Sequence, residues 1–223
     1  MADPVKIHID IVSDVVCPWC IIGYKQLERA LDELAGEVEA EIAWHPFELN
    51  RHMPPEGQDI GEHVREKYGA TPEQSQGNRA RLQALGEELG FPMHYAPGMR
   101  IYNTFKAHQL LHWAGETHGA LSQTALKLAL FKAYFQDNRN VSDEDVLIDV
   151  AASTGLDSDE ARMHINDPEN EAAVRAHLDF WVDQGVSGVP AIIFERKFMV
   201  PGAQDAATFA NVIRKVTAKK AAA

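Results

Sequence analysis

The chain has 223 residues, 45% of them apolar, enough to bury one large core or a core carrying an insertion. Its formal charge is −12, and the only basic cluster is the C-terminal "RKVTAKK", so most of the surface would repel a polyanion and nucleic acid is not an expected partner. No run of 18 apolar residues occurs and "MADPVKIHID" has no basic-then-apolar start, so no membrane partner is expected and the expected compartment is the cytoplasm.

Residues 5–12, "VKIHIDIV", alternate and are β-branched, with Val5, Ile7, Ile9 and Ile11 on one face, which predicts a strand. Ile21, Tyr24, Leu27, Leu31 and Leu34 then recur at helical spacing up to a stop at Gly36. A second strand is expected over 38–49, where Val38, Ala40, Ile42 and Trp44 alternate. From about Asp59 to Gln184 the pattern is helical, with six or seven helices. Their start signals are Thr71-Pro72 with Gln74, Ser142 with Asp145, Asp157 with Glu160 and Asp167-Pro168 with Glu169. "PAIIF" (190–194), a turn at 195–197 and "FMV" (198–200) read as a hairpin, followed by a helix over about 205–215.

Both cysteines, Cys17 and Cys20, fall where the first strand gives way to the first helix. With Cys17 as the helix N-cap, Pro18 takes the first helical position, which proline favours. Cys17 then faces the unpaired N–H groups and positive end of the helix, which favour a thiolate, so Cys17 is the expected low-pKa nucleophile. Cys20, one turn further on, is the natural resolving thiol, and the pair supports thiol–disulfide exchange. Inert buried thiols are the plain alternative. A zinc site needs four ligands, and neither a second Cys-x-x-Cys nor a suitably spaced Cys/His pair is present. "HQLLH" sets His108 and His112 on one helical face but lacks the glutamate of the zinc-protease motif, so these read as ordinary helix histidines.

"CPWC" after a first strand, "SGVPAIIF" near the end and "VPGAQD" before a last helix resemble a thioredoxin fold of the DsbA type. Within it, "DVVCPWCIIG", "HPFELN" and "NTFKAH" resemble the FrnE-like branch, and the resemblance spans essentially the whole chain. It implies an α/β thioredoxin domain (β-α-β / β-β-α) over 1–56 and 185–223, with an all-α domain inserted over 57–184. It further implies a dithiol–disulfide oxidoreductase whose only redox group is the Cys17–Cys20 disulfide, with no tightly bound cofactor and with glutathione as a conceivable co-substrate. Its partners would be thiol or disulfide substrates and a recycling reductant.

By the same resemblance Cys17 attacks and Cys20 resolves, Pro190 is the cis-proline, and the Val189 backbone pairs with an extended substrate. Asn103 and His108 match an "N…AH" pair that borders the active site. Trp19 is either a substrate contact or packing against the helical domain. Tryptophan lacks the charge of the histidine that DsbA carries in this dipeptide, so a less oxidising couple is expected, at roughly −180 to −260 mV. In a reducing cytosol this favours reductase or isomerase work. The acidic residue that DsbA places six positions before its first cysteine is replaced by Ile11, leaving Asp10, Asp14 and Glu48 as candidate proton acceptors for Cys20.

Two other readings stand beside this one. Kappa-class glutathione transferases and hydroxychromene carboxylate isomerases look similar in plan but commonly carry serine at the first motif position, against Cys17 here. A chaperone that uses an apolar groove near Trp19 without turnover is the third reading.

Overall fold

The computed structural model describes residues 3–221; the outermost residues of the expected thioredoxin domain, 1–2 and 222–223, lie outside them. Strand β1 (Val5–Ser13), helix α1 (Pro18–Glu33) and strand β2 (Val38–Pro46) form a parallel β-α-β unit. At the far end of the chain, β5 (Ala191–Phe194), β6 (Phe198–Pro201) and α8 (Ala206–Ala221) form the β-β-α half. The sheet order is β2-β1-β5-β6, with β5 antiparallel to both its neighbours. This is the thioredoxin arrangement, and the hairpin turns through Glu195 and Arg196, both at positive φ.

Strand alternation decides what each sheet face carries. Ile7, Ile9 and Ile11, with Ile192 and Phe194 beside them in register, belong to the main core with Leu27 of α1 and Phe209 and Ile213 of α8. The opposite face carries Asp10, Val12, Ala191 and Ile193, and its apolar members pack with Val186 and Trp181.

Between β2 and β5 run α2 (Ile60–Tyr68), α3 (Pro72–Glu88), α4 (Phe105–Phe135), α5 (Glu144–Ser153), α6 (Ser158–Ile165) and α7 (Pro168–Asp183). Helix α4 has two limbs, which meet at a break at Gly119, where φ is 83° and a side chain would be strained. Thr71 and Gln74 form a reciprocal capping box, and Asp157 and Asp167 cap α6 and α7. The start expected at Ser142 lies one residue later. Asp143 caps α5 by accepting from Val146 N–H, and the Ser142 hydroxyl instead lies 2.7 Å from both Pro55 O and Asn140 Oδ1, which compete for its one proton.

The inserted segment also departs from the all-α expectation. Gln58–Asp59 (β3) and Arg100–Ile101 (β4) pair as a two-residue ribbon, too short to leave a period in the sequence. The Gln123 side chain accepts from Trp44 N–H and donates to Trp44 O, at 2.9 and 3.0 Å, so it serves as one residue of strand on the β2 edge.

Candidate active site

Strand β1 ends at Ser13, and a turn closed by Cys17 N–H on Asp14 O (3.2 Å) delivers Cys17 to the N-cap of α1 in extended geometry, with Pro18 at N1. Both cysteines are free thiols, and Cys17 is 4% exposed while Cys20 is fully buried. The Cys17 thiol faces Val189 O at 3.7 Å, and the Val189–Pro190 peptide is cis. Pro190 comes this close because Gly23 of α1 has no side chain: a Cβ there would lie 3.1 Å from Pro190 Cγ and 3.4 Å from Ala203.

Of the N–H groups expected to cradle Cys17, Pro18 has none to give and the thiol forms no capping hydrogen bond, so only the Cys20 N–H favours its ionised form. Cys17 is pushed well up by its hydrogen bond with Cys20 and by burial, and the Cys20 N–H offsets these only in part. At Cys20 burial also opposes ionisation, but the Cys17 thiol, the Ser13 hydroxyl, which finds no nitrogen or oxygen partner, and the charge of Lys127 bring it below the usual thiol value. The two thiols therefore titrate as one coupled unit.

Lys127, on the second limb of α4, was not among the residues singled out from sequence. It is 1% exposed, lies over Trp44 (5.3 Å) and Phe131 (5.0 Å), and has no carboxylate within 4 Å among the described residues. Burial pushes its pKa down to about 8, against the pull of Cys20, Asp14 and Cys17. Its sequence signal is an amine on an apolar stripe: Leu126, Lys127, Leu130, Phe131 and Tyr134 are all buried at helical spacing.

The three acids proposed from sequence fare differently. Asp10 points to the opposite sheet face, between His8 (2.9 Å) and His45 (2.7 Å). Asp14 is buried beneath the pair. Burial would raise its pKa, but His108, the Leu49 N–H (2.8 Å) and Lys127 hold it below the usual carboxylate value, so it remains an anion and does not accept a thiol proton at neutral pH. Glu48 is raised by burial and lies near His108 and Arg51. His108 is 2% exposed, donates to Phe47 O (3.0 Å) and lies 3.6 Å from Asp14, so it buttresses the site from below. Asn103 does not line the cysteine pocket. Its side chain ties Met53 O to the first N–H of α4 at Phe105.

Cys17 opens into a cavity of about 430 Å³ between the thioredoxin frame and the inserted helices. Trp19 lines it beside Val16, Leu82, Tyr95 and Tyr134, and also lies beneath Arg81 of α3 at 5.6 Å, so it packs against the inserted helices while facing the cavity. Among the described residues no group of three His, Cys, Asp or Glu side chains is placed to hold a metal, and no helix is long and apolar enough to cross a membrane.

Residues 8–214 match the family model described as the DSBA-like thioredoxin domain. The chain is similar to a probable DsbA oxidoreductase from Streptomyces coelicolor, with 30% identity and a TM-score of 0.86 over 94% of this chain and 89% of that one. The Bacillus subtilis protein YwbO is 24% identical over 215 residues, covering 96% of this chain and 99% of its own. The fold is shared with the cytosolic disulfide reductase DsbM from Pseudomonas aeruginosa with GSH, at 16% identity and a TM-score of 0.63 over 93% and 98% of the two chains.

Proposed function

Because the chain belongs to the DSBA-like thioredoxin domain family, whose members include thiol–disulfide oxidoreductases, we propose that it is a dithiol–disulfide oxidoreductase that reduces or isomerises disulfides in the cytoplasm through Cys17 and Cys20. The observation that carries this reading is the pair itself: two free thiols one helical turn apart, with Cys17 facing Val189 O and a buried lysine behind Cys20. The Cys17 proton passes to Cys20, and the Cys17 thiolate attacks one sulfur of the substrate disulfide, forming a mixed disulfide and releasing the first thiolate. Cys20 then loses its proton and attacks Cys17 Sγ. The second thiolate leaves, and the two electrons that reduced the substrate have come from the Cys17–Cys20 dithiol, which is now a disulfide.

For the proton lost by Cys20, the best-matched acceptor is Lys127. Its pKa of about 8 lies in the thiol range, whereas Asp14 is held too low. While still charged, the same ammonium favours the Cys20 thiolate. An external thiol returns the disulfide to the dithiol; glutathione fits this role by analogy with the GSH-containing DsbM structure.

The test is mutational. Cys17→Ser is expected to abolish disulfide reduction, whereas Cys20→Ser should accumulate mixed disulfides that mass spectrometry detects on Cys17. Equal residual activity in the two variants would overturn the assignment of roles.

A further inference from the structure

The cavity over Cys17 is shaped for a small molecule. It has the size of a ligand pocket and is walled by Val16, Trp19, Leu82, Tyr95, Ile101 and Tyr134. With Cys17 only 4% exposed, a disulfide on a folded protein surface would have to enter the cavity to reach the sulfur.

Its charge is as informative as its shape. Among the described residues no aspartate or glutamate lines the cavity, although the chain carries 33 acidic residues. Among the described residues, the only arginine or lysine in its wall is Arg79 of α3. Arg79 is half-buried, its Nη1 donates to Ser75 Oγ at 3.1 Å, and no carboxylate lies within 4 Å of it among the described residues. On its other side Asp59 and Glu62 share a small neighbouring pocket with Arg79, yet the Asp59 carboxylate is engaged by Gly61 and Glu62 N–H. Lys67, near the rim, is held by Leu49 O and Asn50 Oδ1. His63, the remaining basic group in the wall, is pushed down by burial and by Lys67. An arginine with free donors in an apolar chamber is suited to one carboxylate.

We propose that the Cys17 cavity takes a low-molecular-weight disulfide with an aromatic or branched apolar body and a carboxylate that pairs with Arg79. This rests on the oxidoreductase reading and names its substrate class. Cys17 thiolate attacks one sulfur of Ar–S–S–Ar, releasing Ar–S⁻; Cys20 thiolate then attacks Cys17 Sγ, releasing the second Ar–S⁻ as the protein dithiol gives up two electrons. Two equivalents of an external thiol, leaving as their own disulfide, restore the dithiol for a further turnover.

Single-turnover stopped-flow with the reduced protein tests this without any recycling system. Two activated aryl disulfides serve as probes: 5,5′-dithiobis(2-nitrobenzoate), with one carboxylate per ring, and neutral 2,2′-dithiodipyridine. Arg79→Leu should slow the first by about 10- to 100-fold, the range of a charge-assisted hydrogen bond. It should leave the dipyridyl rate within about twofold, which also reports that the variant is folded; Arg79→Lys should recover part of the loss. Equal rates for Arg79→Leu and the parent protein on both probes, equal slowing of both, or insulin reduction as fast as that of the nitrobenzoate would overturn the substrate class. Failure of both probes to oxidise the parent Cys17–Cys20 pair would instead strike the oxidoreductase reading itself.

Discussion

Replacing Lys127 with methionine should make the protein more stable and its redox chemistry worse. Lys127 is 1% exposed, and its pKa falls from the ordinary 10.5 to about 8 because burial penalises the charged form. That drop is worth about 3 kcal/mol. A base whose folded pKa lies below its unfolded value binds fewer protons when folded, so the chain pays this penalty in full below pH 8 and recovers it as pH rises toward 10.5. Methionine keeps the stem's contacts with Trp44 and Phe131 and carries no charge. Lys127→Met should therefore gain about 1–3 kcal/mol at pH 7, and the gain should shrink to under about 1 kcal/mol by pH 10.5. Asp14 keeps His108 and the Leu49 N–H as partners, so no bare buried charge remains to offset the gain. Urea unfolding of both proteins under reductant across this pH range measures it. In the same variant, resolution of a Cys17 mixed disulfide should slow by about 10-fold or more and lose the rise with pH that an acceptor titrating near 8 imposes. A variant less stable than the parent at pH 7, or a stability difference independent of pH, would refute the reasoning.

Asp14→Asn acts with the opposite electrostatic sign. Removing a buried anion below the thiols stabilises the reduced, ionised pair, so the couple should become more oxidising by about 15–30 mV in a glutathione titration. Asp14 has a folded pKa below 3.8, so the stability it contributes is present above that pH and lost in acid; the variant should be less stable than the parent at pH 7, and the gap should close below pH 3.8. Gly23→Val would place methyl groups where a Cβ alone already lies 3.1 Å from Pro190 Cγ. Overpacking there should cost about 1–3 kcal/mol and lower the Tm by about 3–10 °C, and it should slow the reaction at Cys17 by displacing Val189.

What the sequence made legible follows from the range of each interaction. The alternation of residues 5–13 gives both the strand and its two faces, and strand parity alone separates Asp10 from Ser13. Because Cys20 packs on the Ile9 and Ile11 face, that parity could already have removed Asp10 as a proton acceptor. The capping signals at Thr71, Asp157 and Asp167 are local and could be read directly, whereas Asp143 competes with its neighbour Ser142 and only the backbone separates them. The ribbon at 58–59 and 100–101 has no period to read. Helix dipole arguments favoured Cys17 as the thiolate, because they use only neighbours in sequence. Lys127, which helps to lower the Cys20 pKa, reaches the pair only after α4 folds back over β2. Lys127 left a trace as a charged residue on an apolar stripe, but a stripe does not say which buried partner it meets.

The central claim is that Cys17 and Cys20 form one reversible two-electron couple. Equilibrating the purified protein in glutathione buffers of graded ratio, alkylating the free thiols and counting them by mass tests it most directly. The two thiols should disappear together across a single transition, with a midpoint in the range of roughly −180 to −260 mV expected for a pair lacking a charged residue between its cysteines. A pair that never closes, or a stable glutathione adduct on one cysteine alone, would contradict the exchange mechanism.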